Sequence, residues 1–504
     1  MSELLKPLKP LKPLKSQTTP HPAVGLIPLL SLILFIVIAL YVFDGDISGG
    51  GSQLAMLFAT AVSLAISIGV YRFHWDDYIK TLSQIMGETT ESIAIVLMIG
   101  MLSASWMLCG AVPTMIYYGV EVLSPTIFLL TTCVICSVIS LMTGSSWSCI
   151  ATIGVALFGI GTALGVPHGW TAGAIISGAY FGDKISPLSE TTVLSASTTG
   201  TPLFTHVRYM LGTTIPSLSI ALIVFLIAGF GLASNSSIES LEQVQLLGEN
   251  YNISPWTLLV PLITLVMIVK KVPALITLFA SALLAGIMAV IMQPEMTIRL
   301  ASAGATPEAL ETPETFETIK PLIKGVAMAY VSGTDFHFES ETLNDLTSTG
   351  GMVGMSNTVW LIICALCFGS SMVYCGMLQS TMSALTRVVR GRFALVSSTV
   401  ATGIGLNLTT CDQYTSIILT GSLYKDTYKR EGFESKLLSR TIEDSTTITS
   451  PLIPWNSCGM TQSAVLGIAT LDYLPYCVFN YVSPFMSILV AALTRKASKS
   501  PTTP

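Results

Sequence analysis

The chain reads as an all-α polytopic membrane protein, built from two inverted-topology repeats with helical hairpins and broken helices. Three observations carry that expectation: scarce charge, many apolar runs of bilayer length, and matched motifs about 266 residues apart. The 504 residues include only 24 Lys and Arg and 29 Asp and Glu, or 11% charged. An ordinary soluble domain carries roughly 25%. Hydrophobic residues make up 51% of the chain, mean hydropathy is +0.70 and net charge is −5. A soluble globular enzyme, a disordered chain and a nucleic-acid binder are excluded on those grounds. The apolar runs are continuous, not alternating, which excludes a membrane β-barrel.

The N-terminus, 1–23, is a Lys-Pro-Leu repeat and reads as an extended basic cytoplasmic tail. Apolar segments follow at 24–43, 53–71, 91–109, 126–142, 147–165, 170–182, 213–233, 254–269, 272–292, 357–378, 393–408, 413–423, 442–458 and 473–494. Several are shorter than the roughly 20 residues that a helix needs to cross a bilayer. The joints between the short ones are polar: Thr143–Ser146, Gly182–Lys184, Thr409–Asp412 and Asp444–Thr447. Polar, non-helical backbone at membrane depth needs protein or water around it. These joints therefore read as hairpin tips or helix breaks lining a cavity. The ten cysteines lie in or beside apolar segments and read as packing residues, including the CxxC pairs Cys133/Cys136 and Cys364/Cys367.

Loop charge sets an expected topology. Basic residues follow or precede the segments at Arg72, Lys80, Arg208, Lys270 and Lys271. The triplet Arg387, Arg390 and Arg392, the cluster Lys425, Lys429, Arg430, Lys436 and Arg440, and the terminal Arg495, Lys496 and Lys499 extend the pattern. The loops 234–253 and 294–355 are acidic, with Glu239, Glu242 and Glu249 in the first and Glu308, Glu311, Glu314 and Glu317 in the second. One threading puts the basic loops and both termini inside and the acidic loops outside. It requires 126–165 and 393–423 each to enter and leave on one side. The latter, at about 31 residues, is short for two crossings and reads as a hairpin with its tip at Cys411-Asp412.

The repeat aligns Met101–Gly110 with Cys367–Gly376 at an offset of 266, and Ser146 with Asp412 at the same offset. Ile185–Leu188 falls on Thr449–Leu452 at 264, and Pro216 on Pro484 at 268. Loops 111–125 and 166–170 lack Lys and Arg while their counterparts carry them, so equivalent loops face opposite sides. Inverted repeats with broken helices are a secondary-transporter signature, with the site between the halves. The expected parts are the tail 1–23, a first repeat 24–233, an extracellular linker 234–253, a second repeat 254–494 containing the loop 294–355, and a cytoplasmic tail 495–504.

Three polar groups are candidates for binding ions. The first is Gly182–Thr192, with Asp183, Lys184, Ser186, Glu190, Thr191 and Thr192 around Pro187. Charge in the bilayer core is expensive and usually functional. A proline removes an N–H and frees carbonyls, which with hydroxyls and a carboxylate are hard ligands for an alkali cation. Lys184 is expected to pair with a carboxylate or to face the aqueous mouth. The second run is Arg440–Asn456, where Glu443 and Asp444 precede Ser445, Thr446, Thr447, Thr449 and Ser450, then Pro451, Pro454 and Asn456. Carboxylates there can hold either a proton or Na⁺, the simplest route to exchange. The third is the pair of tips, Ser145, Ser146 and Ser148 in one half and Thr409, Thr410, Asp412 and Thr415 in the other. Trp106, Trp147 and Trp455 read as packing residues, and His206, beside Arg208, as a residue near a segment end. No nucleotide-binding motif or catalytic triad is visible, so neither ATP-driven transport nor enzymatic activity is expected.

Ser177–Thr192, Thr143–Trp147, Asp412–Tyr414, Glu443–Ser445 and Thr449–Asn456 resemble signatures of the NhaC family of Na⁺/H⁺ antiporters, over roughly residues 90–490. The resemblance implies exchange of Na⁺ for H⁺ without a cofactor, and an architecture of paired hairpins with elevator-like or rocking motion. The family also includes members similar to malate/lactate antiporters. Carried over by residue, it implies ion-site roles for Asp183, Ser186, Thr192, Asp412, Asp444 and Asn456. Ser370, Ser371 and Val373 stand where the family usually shows a Gly pair and an acid. The combined expectation is an inner-membrane Na⁺/H⁺ antiporter in the lipid bilayer, with Na⁺ at Asp183 or Asp412 and a homodimer compatible with the sequence. A malate/lactate-type exchanger, using Lys184 and Asn456, is the alternative.

Overall fold

A computed structural model describes residues 20–43, 50–232, 239–302, 315–336, 338, 340–378, 380 and 389–494. Most of the basic tail, Arg387, the terminal basic residues, Glu308, Glu311, Glu314 and His337 lie outside the described residues. Among the described residues the secondary structure is entirely helical, and nine helices are long and apolar enough to cross a membrane. A bent pair, Thr470–Tyr476 and Val478–Leu493, meets at 56° and makes up to ten. The protein is an all-α, multi-pass membrane protein.

The helices Pro22–Val42 and Gly51–Gly69 pack on each other, and the second packs on Ser356–Tyr374. Ala274–Met292 packs correspondingly on Trp75–Leu108. Each of these pairs thus leans on a helix distant in sequence. Two further groups of helices carry the interrupted segments. In the first, Pro125–Thr143 packs against His168–Ile185 and Leu203–Leu232. In the second, Arg392–Thr410 packs against Gln413–Arg430 and Val478–Leu493.

Small residues set the closest approach, as expected where lipid gives no hydrophobic drive to helix pairing. A Cβ on Gly178 would stand 2.2 Å from the Cys133 carbonyl oxygen, and one on Gly182 2.3 Å from that of Ser137. The two glycines are one turn apart, so they face the neighbouring helix along a single stripe. Ser140 Oγ closes the same seam by donating to the Ala179 carbonyl at 2.6 Å.

Three sequence expectations shift. Gly182–Lys184 does not form a joint; it lies inside His168–Ile185, and the helix breaks four residues on, at Ser186–Ser189. The hairpin thought to end near 423 has a second arm running to Arg430, so its arms are 19 and 18 residues. At 1.5 Å per residue each is about 28 Å long, close to a full bilayer core, and the length argument for a short hairpin falls. Polar residues Tyr424–Arg430 ended the apolar run before the helix ended. The five-residue basic loop is likewise mostly helix, and its last member, Arg440, is buried.

Candidate ion-binding site

The first tip turns at Gly144, which is left-handed at φ 71°, and Ser145 then caps the next helix by accepting from Ser148 N at 3.2 Å. Ser146 Oγ donates to Asp183 Oδ2 at 2.7 Å, and Ser186 Oγ donates to the Leu141 carbonyl at 2.9 Å. Tip and break therefore pack together within one half. A second tip and break later in the chain pack in a comparable way. Cys411 is left-handed at φ 60°, and Asp412 caps Gln413–Arg430 by accepting from Thr415 N at 2.8 Å. Thr410 Oγ1 donates to the Asp412 carbonyl at 3.0 Å and lies 2.7 Å from Ser416 Oγ. Asn456 caps Ser457–Leu466, and its Nδ2 donates to the Asn407 carbonyl at 3.2 Å. Ser457 N donates to the Cys411 carbonyl at 2.9 Å.

The halves also reach into each other. Glu190–Thr199 packs on Gln413–Arg430, and Ser457–Leu466 packs on the π-helical turn Ile150–Gly154. Tyr414 OH donates to the exposed Glu190 Oε2 at 3.0 Å.

A second π-helical turn, Glu443–Thr447, carries the densest charge. Single π turns inside α-helices frequently mark functional sites. Asp444 Oδ1 accepts from Lys184 Nζ at 2.5 Å and from Thr213 Oγ1 at 3.0 Å. Lys184 Nζ also donates to Ser483 Oγ at 2.9 Å, and both charged side chains are fully buried. Arg440 Nε approaches Asp444 Oδ2 at 3.5 Å, and its guanidinium stacks on Tyr209 at 4.8 Å. Glu443 is also fully buried, with Ser195 Oγ donating to its Oε1 at 2.8 Å. Asp183 and Glu443 thus flank the Lys184–Asp444 pair, one on each chain segment.

The proline-freed carbonyls are held by protein donors. Thr192 Oγ1 donates to the Lys184 carbonyl at 2.9 Å. Thr447, four residues before Pro451, accepts from Gln413 Nε2 at 3.1 Å and Ser450 Oγ at 2.8 Å. Its neighbours Thr446 and Ile448 accept from Asn407 Nδ2 at 2.6 Å and Asn480 Nδ2 at 2.8 Å.

All twelve sequence-chosen positions, Ser145, Ser146, Asp183, Ser186, Glu190, Thr192, Thr410, Asp412, Glu443, Asp444, Ser450 and Asn456, lie at or beside the tips and breaks. Lys184 pairs with Asp444, and Asp183 and Glu443, the preceding residue on each segment, accept from Ser146 and Ser195. Asp412, Thr410 and Asn456 cluster at the second tip, and Glu190 sits at the surface. Sequence reasoning passed over Ser195, Thr213, Ser483, Asn407 and Asn480, and named Arg440 and Gln413 within the runs Arg440–Asn456 and Asp412–Tyr414 without giving them a role. Lone amides within the apolar runs around 407 and 480 were the available signal. His206 is buried inside Leu203–Leu232, its Nδ1 2.8 Å from Ser439 Oγ. Trp106 and Trp455 are packing residues, donating to Ser281 Oγ at 3.0 Å and to the Leu408 carbonyl at 2.9 Å. All ten cysteines are free thiols.

A multi-pass helical bundle whose interrupted helices bury acids against a lysine is the architecture of a secondary transporter. The profile of the Na⁺/H⁺ antiporter family matches residues 10–201 and 178–494. The Na⁺/H⁺ antiporter NhaC of Bacillus subtilis is 34% identical over 436 residues, 86% of this chain and 91% of that protein. NhaC of Alkalihalophilus pseudofirmus is 33% identical over 431 residues, covering 85% and 88%. A malate-2H⁺/Na⁺-lactate antiporter of B. subtilis is 32% identical over 439 residues, covering 87% and 88%. The chain belongs to the Na⁺/H⁺ antiporter family.

Proposed function

We propose that the protein exchanges Na⁺ for H⁺ across the cytoplasmic membrane, through carboxylates at its interrupted helices. The observation that carries this reading is the acidic junction where the two halves meet: Asp183 and Glu443 flank the buried Lys184–Asp444 pair, each with a hydroxyl donor. Lys184 and Arg440 both face Asp444, whereas Asp183 and Glu443 have hydroxyl donors and no ion-pair partner among the described residues, so a cargo ion can bind at these two acids. A buried carboxylate is stable only when paired or protonated, so H⁺ and Na⁺ compete for it. Na⁺ binds at Asp183, with Ser146 and the hydroxyls of the first break beside it, or at Asp412, which stands at the second tip where Ser146 stands at the first. Ser145, Ser186, Glu190, Thr192, Thr410, Ser450 and Asn456 shape the tips and breaks that present these acids.

The matched tips, caps and breaks support a division into inverted repeats, 24–233 and 254–494, joined by an outer linker at 234–253. In each half a left-handed turn and a polar cap precede a proline-interrupted helix. The positive-inside rule supports cytoplasmic termini.

The relative that exchanges malate and lactate gives a second reading, in which an organic acid accompanies the ions. That reading needs cationic and amide groups for the anion. Lys184 is engaged by Asp444 and Ser483, and Asn456 by its capping role, which weighs toward ions alone. The deciding experiment uses purified protein in liposomes with a trapped pH dye and an imposed pH gradient. Na⁺ alone should collapse the gradient. Collapse only when malate or lactate accompanies Na⁺ would transfer the assignment to the organic-acid exchanger.

A further inference from the structure

Three successive carbonyls at the second break, Thr446, Thr447 and Ile448, each accept a side-chain amide, from Asn407, Gln413 and Asn480 on three different helices. A carbonyl only accepts, so the atom facing it must be the amide nitrogen, and each amide's orientation is fixed. That leaves three amide oxygens. Gln413 Oε1 accepts from Cys458 Sγ at 3.2 Å. Asn407 Oδ1 and Asn480 Oδ1 accept nothing, although both residues are fully buried. Thr446 Oγ1 on the same turn is also without a partner, and the Thr447 hydroxyl lies against the Glu443 carboxyl. Gly403, one turn before Asn407, lies against this group, since a Cβ there would come within 2.2 Å of Thr446 Oγ1.

Buried polar atoms are almost always satisfied, so oxygens left open on two helices around one broken turn call for a ligand. Every atom in the set is oxygen. Amide, hydroxyl and carboxylate oxygens without a soft donor suit a hard monovalent cation. We propose that Asn407 and Asn480 are cation-binding residues, with nitrogens clamping the broken helix and oxygens coordinating Na⁺ beside Glu443 and the Thr446 and Thr447 hydroxyls. The clamp makes the ligand set rigid: the amides cannot rotate away without freeing the carbonyls of the break. This deepens the antiport reading and rests on it.

The test is ²²Na⁺ binding to purified full-length protein, with thermal stability and Li⁺ competition measured in parallel. Asn407→Ala and Asn480→Ala should each weaken Na⁺ binding about tenfold, as expected for a lost hydrogen-bonding or coordinating partner, and should shift the Li⁺/Na⁺ preference. Asn407→Asp keeps an oxygen and loses the amide donor, so it should bind Na⁺ more tightly than Asn407→Ala. Wild-type affinity and selectivity in both alanine variants would overturn the proposal and leave a purely mechanical clamp. Asn407→Asp binding no better than Asn407→Ala would do the same. Should an alanine variant not survive purification, the aspartate variant is compared with wild type alone: retained binding supports the proposal and lost binding overturns it. Failure of the wild type itself to bind Na⁺ would overturn the antiport reading along with it.

Discussion

Lys184 Nζ sits 2.5 Å from Asp444 Oδ1, a fully buried ion pair that joins two segments 260 residues apart. It ties the helix before the first break to the π turn of the second. Burying two charges is costly, and their mutual attraction repays that cost only with good geometry and further hydrogen bonds. Thr213 and Ser483 supply those bonds.

Removing one partner should therefore be worse than removing both. Lys184→Met or Asp444→Leu alone should lower stability by about 3–5 kcal/mol by stranding the other charge, whereas the double variant should recover part of it, the buried Arg440 still lacking Asp444. Thermal melts of the three variants in detergent check this. Equal destabilisation in single and double variants would show that the pair does not hold the halves together.

Asp412 separates capping from ion binding. Asparagine caps helices as well as aspartate, whereas alanine loses about 1 kcal/mol. Asp412→Asn should keep the thermal stability and Asp412→Ala should not. Should Asp412→Asn also keep full transport, Asp412 is a cap and Asp183 carries the ion without it.

Gly182→Ala pushes a methyl group against the Ser137 carbonyl, 2.3 Å away. That contact is backbone and has no room to give, so the seam between Pro125–Thr143 and His168–Ile185 must open. Overpacking of this kind typically costs about 1–3 kcal/mol. The expected result is a lower melting temperature together with weaker Na⁺ transport, because Asp183 is the next residue. A melting temperature equal to wild type would show that the helices are not closely seated there.

Competition between H⁺ and Na⁺ for the same carboxylates fixes the direction of the pH effect. Lower pH supplies more competing protons, so the apparent KM for Na⁺ should rise as pH falls, while saturating Na⁺ restores the rate. Initial rates over a Na⁺ series at several pH values test this. A pH-independent KM would mean separate sites for the two ions.

Much of this was legible in the sequence because bilayer physics makes it so. Apolar runs gave the helices of membrane length, since lipid leaves few alternatives to an internally bonded helix, but not Ala111–Val122, Glu190–Thr199 or Thr315–Ser332. Asp183, Glu443 and Asp444 were legible because acids in apolar surroundings are rare and costly. Lys184 was expected to find a carboxylate, but which one depends on tertiary packing across 260 residues. The helix end at Arg430 was missed because hydropathy fades before helical hydrogen bonding does. Arg440 was read as loop charge because it closes a run of basic residues, and its pairing with Asp444 one turn later is set by the fold. The amide clamp left only a faint signal. Asn407 and Asn480 are single polar residues in apolar runs, and only the break that they hold gives them a purpose.

The most direct test compares wild type, Asp183→Asn and Glu443→Gln in sealed liposomes, following Na⁺-driven proton movement with a trapped dye. These variants keep the shapes of the side chains and their hydroxyl contacts but remove the charge. The account predicts that Na⁺ moves protons in the wild type and that Asp183→Asn abolishes this while remaining folded, with Glu443→Gln strongly impaired. Wild-type exchange in both variants would contradict the claim that the acids at the interrupted helices carry the ions.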